Sequence, residues 1–198
     1  MVVGLTGGIG SGKSTVLKEF QEIGNIAVYN ADEEAKKLMV SSSVIRAKIS
    51  SEFGSQSYTN NELNRSYISS VVFADKDKLS KLNAIVHPEV FKHFKNFVAS
   101  NLDKEYVLYE NAILFENGSD VLCDVIICVV ASKQVRIQRV VKRDGVTETE
   151  VIRRIRNQWS DSKKRLLSNY IIHNQNVNNL QGQIIRIHNN LTENKAQI

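Results

Sequence analysis

The sequence predicts an α/β fold, a parallel five-stranded sheet with helices on both faces. Three observations lead there. Five short apolar runs alternate with longer amphipathic stretches, and several of them lack in–out alternation, as strands covered on both faces do. A glycine-rich loop joins the first run directly to the first helix. The chain of 198 residues has one proline, Pro88, and no low-complexity tract or repeat, so it reads as one continuous domain.

Met1 to Thr6 is the first buried strand. A helix follows from Lys13 to about Ile23, with Val16, Leu17, Phe20 and Ile23 at helical spacing and Gly24 as its stop. Ile26 to Tyr29 is the second strand, ending at Asn30-Ala31-Asp32. Residues 33–104 read as largely helical, with loops around Gly54 to Asn61. One of these helices carries Leu79, Leu82 and Ile85 and is expected to end at His87-Pro88, since proline disfavours a helix interior. Alone, His87 reads as a helix-end histidine with a local hydrogen bond.

Tyr106 to Glu110 and Val125 to Val130 are the next strands. Lys133 to Arg143 forms a helix that Asp144-Gly145 ends. The next helix opens at Thr147, where Thr147 and Glu150 have capping-box spacing, and Val151, Ile152, Ile155 and Trp159 form its apolar side. Trp159 on that side reads as core rather than as a platform for a base. Tyr170 to Ile172 is the fifth strand. The last helix carries Leu180, Ile184, Ile187 and Leu191 on one face.

The net charge of +5 points to an anionic partner, which a nucleic-acid binder and an enzyme for polyphosphates share. The basic residues gather near residues 136–156 without interleaved aromatics, which argues against recognition of nucleic acid by stacking. No apolar run approaches the roughly 18 residues of a membrane span, and the first residues lack the charged and apolar regions of a signal peptide. Cys123 and Cys128 lie in or beside an apolar strand, with no second Cys/His cluster, and are expected to be reduced, buried thiols. Together these features predict a cytoplasmic protein without a membrane partner.

Gly7-Gly8-Ile9-Gly10-Ser11-Gly12-Lys13-Ser14 satisfies the phosphate-loop pattern G-x-x-x-x-G-K-S/T. Its glycines let the backbone curl so that N–H groups point at phosphate oxygens. The helix starting at Lys13 adds the positive end of its dipole. Lys13 reaches the β- and γ-phosphates, and the Ser14 hydroxyl is a ligand for Mg²⁺. The expected cofactor set is therefore ATP with Mg²⁺, held by Gly8, Ile9, Gly10, Ser11, Gly12, Lys13, Ser14 and Thr15.

A loop of this kind binds nucleotide without declaring the reaction. Asp32, just past the second strand, reads two ways: a carboxylate that accepts a proton from an attacking hydroxyl, or a cap for the helix starting at Glu33. Arg136, Arg139 and Arg143 recur at i, i+3 and i+7, where like charges repel unless an anion lies between them. Arg153, Arg154 and Arg156 follow on the next helix. Two arginine-bearing helices around Asp144-Gly145 suit a lid, about residues 143–160, that closes over a triphosphate. A solvated basic face is the alternative.

The ordered motifs resemble those of the dephospho-coenzyme A kinase family over nearly the whole chain. The opening Val3-Gly4-Leu5-Thr6-Gly7-Gly8-Ile9-Gly10-Ser11-Gly12-Lys13-Ser14-Thr15 is similar to the family's first motif. Asn30-Ala31-Asp32 resembles its D-A-D, and Leu63-Asn64-Arg65 with Val72-Phe73 its L-x-R then V-F. Ile85-Val86-His87-Pro88 resembles L-x-H-P, and Ile113-Leu114-Phe115-Glu116 resembles P-L-L-F-E. Arg143-Asp144 resembles the R-D before the lid, Gln158 the glutamine closing the lid helix, and Ile171-Ile172-His173-Asn174 a terminal hydrophobic-D/N-N. Asn30, Ala112, Asn169 and His173 depart from the family pattern.

The resemblance implies a nucleoside-monophosphate-kinase-like P-loop fold and ATP-dependent phosphorylation of the 3′-hydroxyl of dephospho-coenzyme A. It implies a core of about 1–32 and 105–198, with 33–104 as the coenzyme-A-binding insert. Asp32, Lys13 and Arg143 become the expected catalytic residues. Arg65, His87 and Glu116 become substrate-side or framework residues, and Arg139, Arg143 and Arg154 the lid's phosphate contacts. The expected partner is the small-molecule substrate, with a monomer or small homo-oligomer as the assembly. Two rivals stand beside it. Another nucleoside kinase would share the skeleton, and a nucleotide switch would hydrolyse slowly without an acceptor, although a guanine-reading N-K-x-D element is absent.

Overall fold

A computed structural model describes residues 1–73, 75–175 and 179–195. The chain divides into two compact units, Met1–Tyr29 with Asn101–Ile198, and Asn30–Ser100.

The first unit is built on a parallel five-stranded sheet. Its strands are β1 (Val2–Thr6), β2 (Ala27–Asn30, whose last residue begins the second unit), β5 (Val107–Glu110), β6 (Val125–Val130) and β7 (Tyr170–His173), in the order β2-β5-β1-β6-β7. β1 is thus central, with Val2 opposite Val107 on one side and Val3 opposite Val125 on the other. Both its neighbours are backbone ladders, and Val3 and Leu5 have no exposed surface, which is why the run reads apolar without alternation. Helices α1 (Lys13–Ile23) and α9 (Leu180–Lys195) bury Val16, Phe20, Ile184 and Ile187 in a core with Leu5 and Ile127.

Helices α6 (Lys133–Asp144), α7 (Glu148–Arg156) and α8 (Asp161–Leu166) occupy the stretch between β6 and β7. The break after α6 is a left-handed cap at Gly145, φ 65°, a conformation in which glycine has no Cβ penalty. The predicted capping box of α7 is formed. The Glu150 N–H donates to the Thr147 hydroxyl at 3.3 Å, and the Thr147 N–H donates to the Glu150 carboxylate at 2.9 Å. Trp159 does not belong to this helix. α7 stops at Arg156, so Trp159 falls in the connection to α8, half-buried, with its ring parallel to Phe115 at 6.4 Å.

The second unit holds α2 (Ala31–Ser41), α3 (Ser43–Phe53), the short pair β3 (Tyr58–Thr59) and β4 (Glu62–Leu63), α4 (Arg65–Phe73) and α5 (Lys76–Ala99). The expected loop around Gly54 to Asn61 contains half of that hairpin, turned by Asn60 and Asn61 at positive φ. A small core of Ile45, Ile49, Phe53, Ile68, Val72 and Val86 closes the unit.

The helix expected to end at His87-Pro88 does not end there. α5 runs on to Ala99 with Pro88 inside it. Proline removes one helical hydrogen bond, at a cost of about 3 kcal/mol. Val86 and Phe94, one on each side of it, are both buried, and that packing outweighs the lost bond.

Candidate active site

The site grows from the carboxyl end of β1. Gly10 and Gly12 have φ of 78° and 93°, where a side chain is strained. Neither has room for one. A Cβ on Gly10 would lie 2.5 Å from the Arg136 carbonyl oxygen, and one on Gly12 would lie 2.0 Å from the Asn174 amide nitrogen. Gly12 is also the N-cap of α1 and supplies no side-chain cap. A helix start without a side-chain cap, on a converging backbone, fits an anion. Two buried hydroxyls at the loop, Thr6 Oγ1 and Ser11 Oγ, have no hydrogen-bond partner among the described residues. Ser14 and Thr15 are exposed in the first turn of α1, so the Ser14 hydroxyl is accessible to a cation.

Lys13 folds back over the loop. Its ammonium donates to the Gly7 carbonyl at 3.0 Å and lies 3.6 Å from the Glu110 carboxylate, with both side chains about nine-tenths buried. Glu110 ends β5 and escaped the sequence reading. Its one signal was an acid closing an otherwise apolar strand. Asn174 also escaped as a loop contact: it is buried and donates to the Ser11 carbonyl at 2.9 Å.

The arginines of α6 divide among different protein partners. Arg136 is buried, donates from Nε to the Ile9 carbonyl at 2.8 Å, and pairs with Asp161. Arg139 donates to the Ser11 carbonyl at 3.3 Å. Arg143 turns to its neighbour Asp144, at 2.7 and 3.1 Å, and Arg154 of α7 meets the same carboxylate at 2.9 Å. The Arg143 guanidinium, with Arg154 beside it, holds the Asp144 carboxyl below the usual carboxylate range. Gln158, just past α7, accepts from the Ile9 N–H at 2.8 Å.

Glu116 is tied into the same unit. One oxygen accepts from the Trp159 N–H at 2.9 Å and from Lys164 at 2.8 Å. Lys164 also donates to the Ala112 carbonyl at 2.6 Å. The other oxygen, Oε2, is buried with no hydrogen-bond partner among the described residues. Asn169 is at the opposite edge of the sheet, where it clasps Ile126 by backbone and side chain at 2.9 and 2.8 Å, so it stands at the amino end of β7. His173 ends β7, with its N–H donating to the Gln183 side chain at 2.9 Å.

In the second unit, Asp32 is not the cap of its helix. Asn30 is the cap, accepting from the Glu33 N–H at 3.0 Å. Asp32 is therefore in the first turn, exposed, and not engaged in capping. Asn30, the departure from D-A-D, does this structural work. Arg65 is the exposed first residue of α4. His87 lies mid-helix on α5, and although its surface is exposed, desolvation by the protein around its ring lowers its pKa below the ordinary imidazole value.

A phosphate-gripping loop after the first of five parallel strands, a lysine drawn into it, and arginine-bearing helices beside it define a kinase of the P-loop, nucleotide-kinase-like class. A family model described as dephospho-CoA kinase matches residues 1–179. The chain belongs to that family. A dephospho-CoA kinase of Bacteroides fragilis is 34% identical over 185 residues, covering 93% of this chain and 90% of that one. Among solved structures, TT1252 from Thermus thermophilus superposes with a TM-score of 0.84 at 27% identity, over 96% of both chains. The dephospho-CoA kinase from Campylobacter jejuni shares the fold, with a TM-score of 0.71 at 20% identity over 98% of both chains. Among the described residues no helix is long and apolar enough to cross a membrane.

Proposed function

We propose that this kinase transfers the γ-phosphoryl group of ATP to the ribose 3′-hydroxyl of dephospho-coenzyme A, giving coenzyme A and ADP, in the cytoplasm. The observation that carries the reading is the span of the family match. Residues 1–179 take in the loop, Asp32 and the arginine helices in one frame.

In this reading the loop amides and Lys13 hold the β- and γ-phosphates, and Glu110 orients the Lys13 ammonium before the nucleotide arrives. The Ser14 hydroxyl would be the chain's ligand to Mg²⁺, which would supply charge neutralisation on the triphosphate when bound. Asp32 lies in the first turn of α2, directly after β2, at the last position of the segment that resembles the family's D-A-D. Its carboxylate accepts the proton of the 3′-hydroxyl as that oxygen bonds to the γ-phosphorus, and ADP leaves with the electron pair of the broken bond. Arg139, Arg143 and Arg154 offset charge on the phosphates, while Arg65 and His87 contact the acceptor.

The test is incubation with ATP, Mg²⁺ and dephospho-coenzyme A, with product identified by mass. The expected product is heavier than the acceptor by one phosphoryl group. ADP formation indifferent to this acceptor, or preference for another nucleoside, overturns the proposal.

A further inference from the structure

The backbone of Ile9 is held on both sides, by one residue before the lid and one near its end. Its N–H donates to the Gln158 side chain and its carbonyl accepts from Arg136 Nε, each at 2.8 Å. Arg136 precedes the lid on α6, Gln158 lies near its end, and Asp161, the first residue of α8, takes the other end of the Arg136 guanidinium. The Arg136 side chain is only 5% exposed. It packs so close to the loop that a Cβ on Gly8 would meet its terminal nitrogen at 2.2 Å. A buried guanidinium needs both its charge and its donors answered, and here a carboxylate and a loop carbonyl answer them. The loop backbone therefore takes its course from this clasp as well as from its glycines.

We propose that Arg136 and Gln158 are positioning residues for phosphoryl transfer. They set the two peptide planes that meet at Ile9, and with them the neighbouring amides that meet the nucleotide, and they fasten the helix before the lid and the lid's far end to one residue of the loop. Asp161 orients Arg136. This rests on the phosphoryl-transfer reading above, but it concerns the nucleotide half of the site alone.

The test measures ATP affinity by displacement of a fluorescent ATP analogue, alongside steady-state kinetics with dephospho-coenzyme A. Gln158→Leu, Arg136→Lys and Asp161→Asn are each expected to weaken ATP binding by about tenfold or more, the effect of losing one charge-assisted or buried hydrogen bond. KM for ATP rises in step while KM for dephospho-coenzyme A stays unchanged, a split that general loosening would not produce. Arg136→Lys with Asp161→Asn costs less than the sum of the two. Gln158 is half-buried, so its variant decides the matter should the Arg136 variant fail to fold. Unchanged or tighter ATP binding by folded Gln158→Leu overturns the inference, because Gln158 would then be a placeholder that the nucleotide displaces. Equal rises in both KM values overturn it too. A wild-type protein that binds ATP but does not phosphorylate dephospho-coenzyme A sinks the proposed function instead and leaves the affinity comparison intact.

Discussion

The Lys164 ammonium sits 2.8 Å from the Glu116 carboxylate, and the lysine side chain has no exposed surface. The pair ties the segment after β5 to α8 and, through the Trp159 N–H on the same oxygen, to the end of the lid. A charge so placed is tolerated only while its partner remains. Lys164→Ala strands the carboxylate, and unfolding in denaturant is expected to show a loss of about 3–5 kcal/mol. A midpoint close to that of the wild type would mean that solvent reaches Glu116 freely.

Two glycines should respond to alanine with opposite signs. Gly10→Ala forces a side chain into left-handed backbone, at about 1–2 kcal/mol, and drives it against the Arg136 carbonyl. Both stability and nucleotide affinity should fall. Gly182, in α9 with nothing within 4 Å of its added Cβ, should gain about 0.5–1 kcal/mol on the same change. Thermal melts of the two variants make the comparison, and a stabilised Gly10→Ala would refute the loop geometry.

Lys13 and Asp32 should separate binding from chemistry. Lys13→Ala removes the ammonium that the proposed reaction places at the β- and γ-phosphates, and turnover is expected to vanish. Asp32→Asn keeps the shape of an exposed residue that caps nothing, so ATP affinity should hold while kcat falls about 10²–10⁴-fold. Isothermal titration paired with product assays distinguishes them. An undiminished kcat in Asp32→Asn would remove it from the reaction.

Burial pushes the Cys128 thiol up to about 11 and the Cys123 thiol to about 12, with Asp120 and Asp124 adding to the latter. Both thiols should resist alkylation at pH 8 in the native protein and react rapidly in guanidinium. The sign of the linkage follows. Above the ordinary thiol value of about 8.5 the unfolded chain releases protons that the folded chain keeps, so stability falls as pH rises from there to about 11 and 12. Prompt native labelling at pH 8 would show open access to the sulfurs.

Much of the fold was legible in the residues. The five strands, the loop, α1, the capping box of α7 and the break at Gly145 each depend on neighbours within a few positions, through periodicity, forced φ and caps. The site was legible in kind but not in its partners. Arg136, Arg139 and Arg143 have the spacing of a shared anion site, yet Arg136 and Arg139 grip loop carbonyls and Arg143 turns to Asp144. Asp32 reads as a base or as the cap of a helix starting at Glu33, and only the start of α2 at Ala31 gives the cap to Asn30. Pro88 reads as a stop, and only burial on both sides of it carries α5 through.

What the sequence by itself determined was a phosphate-binding loop on a parallel α/β frame, together with the family, because those signals are local or repeat in a fixed order. Only the tertiary structure decided that Glu110 faces Lys13, that Gln158 and Arg136 clasp Ile9 across 149 and 127 residues, and that Lys164 answers Glu116. The physical reason is that a charge or amide far along the chain finds its partner by burial. The low dielectric of the interior makes an unanswered polar group costly, and packing, not spacing, selects which group answers it.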